Sequence, residues 1–198
     1  MITKVTVFVD YDSARRIGGD LNPYNQISLY DIFEYIKDHI ANYLSEIDNK
    51  IFYNVHWRIY HGWFSGRTKT QDRLEFEKYL QDVRGSRIYN VSFSTDYKYS
   101  DIMLCDSQRM PLYNTLHRRE DTGKLEQKMV DTALACDVLH SAKYKESGVC
   151  IIIGDDDDLM PILFCAEAWK MRIVLLTRRK HLNRFLNLNG LVRQMRVQ

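Results

Sequence analysis

The sequence predicts an α/β three-layer sandwich, a mostly parallel central sheet with helices on both faces, and three observations carry that reading. Apolar, β-branched runs of strand length alternate with amphipathic stretches of helix length from one end of the chain to the other. Val5–Val9 is β-branched and aromatic and Val149–Ile153 is continuously apolar, as buried strands are. Both runs stop abruptly at or next to Asp, so carboxylates gather beyond the carboxyl ends of strands, where parallel sheets bind ligands.

Val5–Val9 reads as the first strand, followed by Asp10-Tyr11-Asp12-Ser13 as a loop and by a linker containing Gly18, Gly19 and Pro23. Over Ile27–Leu44 the residues Leu29, Ile32, Phe33, Ile36, Ile40 and Leu44 recur every three or four positions behind Ser28 as a cap, which predicts a helix. Val55–Tyr60 is a second strand, Asp72–Val83 a second helix and Arg87–Phe93 a third strand. Tyr97–Leu112 suits either a short strand or an irregular excursion broken at Pro111, and no element is assigned to it. Lys124–Lys143 reads as a helix, Val149–Ile153 as a strand, Asp158–Trp169 as a helix with Pro161 in its first turn, and Arg172–Leu176 as a strand.

With 198 residues, 45% hydrophobic and 27% charged, the chain is expected to form one domain over residues 1–198 that needs neither a disulfide nor a structural metal. Disorder is excluded on the same grounds. The cysteines Cys105, Cys136, Cys150 and Cys165 form no CxxC pair, so neither a zinc site nor a redox motif is expected, and Cys150 and Cys165 read as buried thiols in a reducing compartment. The apolar N-terminal run is too short for a signal peptide, and no stretch reaches the ~18 apolar residues of a membrane helix, so a cytoplasmic protein without a membrane partner is expected. The formal charge is only +2, yet the segment 172–198 holds Arg172, Arg178, Arg179, Lys180, Arg184, Arg193 and Arg196 with no Asp or Glu. An acidic remainder beside a basic flank is a charge pattern of the kind that tracks a phosphate backbone, against the plainer reading of a solvated surface, which composition alone slightly favours.

Gly154-Asp155-Asp156-Asp157-Asp158-Leu159-Met160-Pro161 follows directly on the strand Val149–Ile153. A helix N-cap and first-turn acids account for one or two of these carboxylates. The full run exceeds that need, and its mutual repulsion asks for a counter-ion; hard oxygen donors select Mg²⁺ or Mn²⁺. Asp10 and Asp12 end the first strand at the same edge. The predicted helix Lys124–Lys143 runs antiparallel to the strand that follows it, so Lys128 and Asp131 lie near that edge on one helix face. There Lys128 either neutralises a phosphate or pairs with Asp131. Asp137, ~9 Å further down the axis and turned by ~120°, reads as a partly buried, hydrogen-bonded carboxylate that supports packing. Carboxylates gathered from three elements suit metal-assisted phosphodiester hydrolysis, which needs no nucleophilic side chain. No GxSxG, HExxH, GxxxxGK[ST] or GxGxxG motif supports a competing chemistry.

Three segments in order resemble motifs of the NYN-domain branch of the PIN-like ribonuclease superfamily. Val7-Phe8-Val9-Asp10-Tyr11-Asp12-Ser13 is similar to the family's first strand, which ends in Asp with Asn usual three residues on. Lys128-Met129-Val130-Asp131 and the following residues to Asp137 are similar to its Lys-Gly-Val-Asp helix with a second Asp. Ile151-Ile152-Ile153-Gly154 through Pro161 is similar to its Ser-Gly-Asp-Ser-Asp-Phe-x-Pro segment. The resemblance implies a PIN-like fold and a Mg²⁺- or Mn²⁺-dependent RNA nuclease with Asp10, Asp131, Asp156 and Asp158 as metal ligands and catalytic residues. Ser13 stands where the family usually has Asn, and Met129 where it has Gly. The acidic run is one residue longer than the pattern: anchoring on Gly154 selects Asp155 and Asp157, whereas anchoring on Leu159 and Pro161 selects Asp156 and Asp158. The second register is preferred, because Leu159 and Pro161 fix the helix that aims the carboxylates.

Two other readings compete. A haloacid-dehalogenase-type phosphatase shares Asp10-x-Asp12 after an apolar strand, with Asp10 as nucleophile, but Ala14 stands where Thr or Val is usual and Asp131 has no role. A catalytically inactive RNA-binding or partner-binding module would keep the fold without the metal; the intact carboxylates argue against it. For substrate contacts the candidates are Ser13, Lys128, Arg118 and Arg119 near the acidic residues, and Arg178, Arg179 and Lys180 after the last parallel strand. His61-Gly62-Trp63-Phe64 is the candidate for stacking unpaired bases, against the plainer reading of a packed loop. A cytoplasmic RNase must be restrained, through substrate structure, a homo-oligomer or a regulatory protein partner.

Overall fold

A computed structural model describes residues 2–21, 27–179 and 190–195. In chain order the elements are β1 (Ile2–Asp10), α1 (Tyr11–Leu21), α2 (Leu29–Ile47), β2 (Phe52–Tyr60), the small hairpin β3 (Phe64–Ser65) and β4 (Thr68–Lys69), α3 (Gln71–Asp82), β5 (Ser86–Ile88), β6 (Val91–Tyr99), a second small hairpin β7 (Leu116–Arg118) and β8 (Leu125–Gln127), α4 (Val130–Tyr144), β9 (Val149–Ile153), α5 (Met160–Ala168), β10 (Ile173–Thr177) and β11 (Val192–Gln194). A 3₁₀ turn, Asp157–Leu159, leads into α5.

The mostly parallel seven-stranded sheet has the order β11-β10-β9-β1-β2-β6-β5, and only β5 runs antiparallel to its neighbour. From β1 the chain first builds outward through β2 and β6, then returns to the other side of β1 to lay down β9, β10 and β11. The direction of winding therefore reverses between β1 and β9. That switch point leaves a crevice outside the carboxyl ends of the two strands.

Alternation along β1 divides the buried side chains into two clusters, because successive strand residues point to opposite faces. Val5, Val7 and Val9 pack with Ile17 of α1, Phe33, Ile36 and Leu44 of α2 and Phe76 of α3. Phe8 packs with Val130, Leu134 and Val138 of α4 and Ile162 and Leu163 of α5. One cluster thus joins the sheet to α1, α2 and α3, and the other joins it to α4 and α5. Among the described residues no helix is long and apolar enough to cross a membrane.

The expected elements are present with local differences, among them the unexpected hairpin β3–β4 and strand β7. Helix α1 replaces the expected loop and the start of the linker, since Tyr11, Ala14 and Ile17 bury one face and the Asp10 carboxylate caps the first turn. Ser28 caps α2 as expected, its hydroxyl accepting from the Asp31 N–H at 3.2 Å. The third strand is a hairpin, β5 and β6 turning through Tyr89 at φ 52, and β6 takes up Tyr97–Tyr99 from the unassigned stretch. Helix α4 starts at Val130 rather than Lys124: Leu125–Gln127 pairs with β7, and Met129 at φ 66 interrupts any helix before it. Strand β11 was not expected from the sequence pattern. Of the thiols, Cys150 is buried but Cys165 is exposed, because it lies on the outer side of α5, opposite Leu163 and Ala166.

Candidate active site

Asp10 is the last residue of β1, and its carboxylate turns back over the start of α1. It accepts the backbone N–H groups of Asp12 at 3.2 Å and Ser13 at 3.3 Å, and the Ser13 hydroxyl. The same hydroxyl accepts the backbone N–H of Asp155 at 3.0 Å. Ser13 thereby ties the end of β1 to the corner after β9, which the register already brings alongside, Val9 pairing with Ile153. Ser13 thus orients the Asp10 carboxylate.

That corner is tight. A β-carbon on Gly154 would collide with the Leu159 δ1-methyl, so glycine lets the 3₁₀ turn fold back onto the strand end. The four acids then separate by role. Asp155 is 4% exposed and faces β10, where it accepts from Thr177 Oγ1 at 2.9 Å, the Arg178 N–H at 3.1 Å and Arg178 Nε at 2.5 Å. Asp156 caps the turn by accepting the Asp158 N–H at 3.0 Å and faces the crevice. Asp157 is exposed, 3.6 Å from the Arg179 guanidinium. Asp158 is exposed and adds its charge to the field at Asp131.

Asp131, in the first turn of α4, completes the arrangement. A cavity of about 340 Å³ is lined by Asp10, Asp12, Asp131 and Asp156, with Ser13, Arg16, Leu125, Gln127 and Arg179 around them. Partial burial raises the Asp131 carboxyl above its ordinary 3.8, and the charges of Asp10, Asp156, Asp158 and Asp12 raise it further. Burial also raises Asp10, opposed by its hydrogen bond from Ser13. An all-oxygen donor set under mutual repulsion fits a hard divalent cation such as Mg²⁺ or Mn²⁺. As the side chains stand, no three His, Cys, Asp or Glu among the described residues form a group that could hold a metal ion.

Asp12 is braced from behind. The Gln127 amide donates to it at 2.7 Å and lies 3.0 Å from His61 Nδ1, while His61 Nε2 lies 3.0 Å from Asp72. The hydrogen bond from His61, opposed by burial, holds the Asp72 carboxyl below its ordinary value. His61, Trp63 and Phe64 are buried, so the packed-loop reading applies and this cluster offers no exposed stacking surface.

The expected substrate contacts fare differently. Arg179 reaches the cavity. Arg178 is committed to Asp155, which Thr177 also bonds. Lys128 lies outside α4, does not line the cavity and sits 3.4 Å from Glu126, since the left-handed Met129 ends the helix before reaching it. Arg118 donates to the Gly123 carbonyl and Arg119 forms a two-pronged pair with Asp121, both within the β7–β8 hairpin and away from the cavity. Lys180 lies outside the described residues. Arg16 and Gln127 escaped the sequence reading. The signal for Arg16 was the spacing of Tyr11, Ala14 and Ile17, which sets a helical phase that brings Asp12 and Arg16 together.

No family model matches the chain, and no curated protein matches it. Among solved structures, the crystal structure of a protein of unknown function from Vibrio parahaemolyticus matches with a TM-score of 0.45 and 10% sequence identity, over 88% of this chain and 80% of that one.

Proposed function

We propose that the chain is a Mg²⁺- or Mn²⁺-dependent ribonuclease of the NYN, PIN-like type, with its helices and sheet arranged as a three-layer sandwich. The observation that carries this reading is the meeting of Asp10, Asp131 and Asp156, from three elements distant in sequence, in one cavity at the switch point of a parallel sheet. Asp10, Asp131 and Asp156, which line the cavity, are the residues that would hold the metal, with Asp158, outside the cavity lining but felt by Asp131, as the fourth ligand that the motif implies. When bound, the cation supplies a water of lowered pKa and charge neutralisation at a phosphate.

The remaining roles belong to the protein. Arg16 and Arg179 flank the carboxylates and counter the charge of an incoming phosphodiester, which the acids alone would repel. Ser13 holds the Asp10 carboxylate in one orientation, and the Asp155–Arg178 pair fixes the turn from which Asp156 projects. Asp12, held by Gln127, is placed to take a proton from a water in the cavity. RNA is the expected polymer by resemblance of motif.

The decisive experiment is cleavage of an end-labelled single-stranded RNA and its DNA counterpart by wild type and Asp131→Asn, in Mn²⁺, Mg²⁺ or EDTA. The expected result is metal-dependent cutting of RNA that the substitution abolishes. Pure wild-type protein that binds RNA but cuts neither polymer in either metal would overturn the reading in favour of a binding module.

A further inference from the structure

A second, larger cavity of about 650 Å³ lies beyond the carboxyl ends of β2 and β6, and the acidic site makes no use of it. Its floor is cationic: Arg58 and Arg73 line it and are each only 8% exposed. Half-buried Met103 and Leu104 supply an apolar wall, Tyr99 an aromatic one, and exposed Arg109 stands at the mouth.

The loop over the cavity is firmly built. The Leu104 N–H donates to Asp137 at 2.7 Å, the Ile102 carbonyl accepts from Arg58 at 2.7 Å, and Asp101 accepts from Arg73 at 3.1 Å. Asp106 accepts the Gln108 N–H at 2.9 Å and the Met110 N–H at 2.5 Å.

Both guanidinium groups retain donors. Arg58 is engaged through Nε and Nη2, and Arg73 through Nε and Nη1, so Nη1 of the one and Nη2 of the other have no hydrogen-bond partner among the described residues. The Arg73 guanidinium carbon lies over Tyr99, 3.3 Å from the ring centroid.

Unspent guanidinium donors below, one of them stacked on Tyr99, an apolar wall of Met103 and Leu104, and a cation at the mouth together suit a planar ring with an acceptor edge that carries an anion. Arginine pairs best with the O6 and N7 edge of guanine. We infer that this cavity takes one guanine nucleotide of the RNA strand whose scissile phosphate lies in the acidic cavity, the base over Arg58 and Arg73 and its phosphate at Arg109. Naming RNA as the polymer rests on the ribonuclease reading. Asp10 pairs with Tyr60 of β2, and Ile59 beside it pairs with Tyr99 of β6. At ~4.8 Å per strand the second cavity therefore begins about 10 Å along the sheet edge from Asp10. Helix α4 joins the two, carrying Asp131 at one and Asp137, which holds Arg58 at 2.7 Å, at the other.

The test is calorimetric titration in EDTA of wild type and Asp131→Asn with 5′-GMP, 5′-UMP and inorganic phosphate. Saturable GMP binding is expected, at least tenfold tighter than UMP or phosphate and unchanged by Asp131→Asn. Met103→Trp, which fills the cavity, and Arg109→Glu at its mouth should each weaken GMP at least tenfold while the urea midpoint stays put. Absence of saturable GMP binding, equal binding of phosphate, or indifference to both loop variants overturns the site. Metal-dependent RNA cutting without GMP binding removes the subsite and keeps the nuclease; GMP binding without cutting keeps the nucleotide site and removes the nuclease.

Discussion

The Ser13 hydroxyl donates to the Asp10 carboxylate and accepts the backbone N–H of Asp155 at 3.0 Å, so one side chain locks together the ends of β1 and β9. Ser13→Ala leaves a buried N–H without a partner and Asp10 without its orienting donor. Stability should fall by about 1–3 kcal/mol in urea denaturation. Affinity for Mn²⁺, measured by calorimetry, should fall about 10–100-fold, as it does when an outer partner of a metal ligand is lost. Ser13→Thr keeps the hydroxyl and should retain most of both; a Thr variant as weak as Ala would remove the orienting role.

The raised carboxyl of Asp131 makes a stability prediction with a definite sign. Its folded form holds a proton more tightly than the unfolded chain, so its contribution to stability falls as pH rises above the ordinary 3.8. Asp131→Asn should therefore raise the melting temperature in EDTA at pH 7, and the gain should shrink as pH falls toward 3.8. Solvent screening at this partly open position limits the effect to about 2–4 °C, the shift ~1 kcal/mol makes in a domain of this size. Saturating Mn²⁺ should reverse the ranking by stabilising wild type alone. A variant less stable than wild type in EDTA would show that Asp131 feels no net repulsion.

Met129 occupies the left-handed region at φ 66 just before the helix that carries Asp131. A residue with a β-carbon pays ~1–2 kcal/mol there, while glycine does not. Met129→Gly, which restores the Gly of the motif this segment resembles, should stabilise the fold by about 0.5–1 kcal/mol after the extra chain entropy of glycine is set against it. The check is the urea midpoint at constant m-value. No gain would mean that the Met129 side chain makes contacts worth as much as the strain.

Asp137 is fully buried and accepts from Arg58, Tyr60 and the Leu104 N–H, each at 2.7 Å. Asp137→Ala strands the Arg58 guanidinium inside the protein, which costs about 3–5 kcal/mol. Hydrogen exchange should localise the loosening to residues 101–112, the loop these bonds anchor. Uniform loss of protection would mean that the network supports the sheet rather than the loop.

Much of this was legible in the chain. Val5–Val9 announces itself as a β-branched and aromatic run, Val149–Ile153 as a continuously apolar one, Ser28 as a cap ahead of a helical stripe, and Asp137 by its place among buried helix residues. Strand direction then brings Asp10, Asp131 and Asp156 to one edge. What escaped depends on single backbone angles and on three-residue elements, which leave no period to read. The left-handed Met129 decides that Lys128 is outside α4, and Leu125–Gln127 is too short to be told from a helical turn. Gly18, Gly19 and Pro23 hid α1, and with it Arg16.

Adjacent Arg178 and Arg179 are indistinguishable by composition, yet the structure assigns them opposite duties. Arg178 pairs with Asp155, whose side chain is only 3% exposed, so Arg178→Ala should destabilise the fold by about 3 kcal/mol. Its effect on RNA affinity should disappear once the protein is fully folded in the assay. Arg179 is half exposed at the acidic cavity, and Arg179→Glu should leave the urea midpoint within about 0.5 kcal/mol of wild type. That variant should instead weaken RNA binding and make the log–log salt dependence shallower by about 0.7, the slope of one phosphate contact on a single strand. An unchanged slope for Arg179→Glu would take the guanidinium out of the RNA path and leave Arg16 as the cation at the carboxylates.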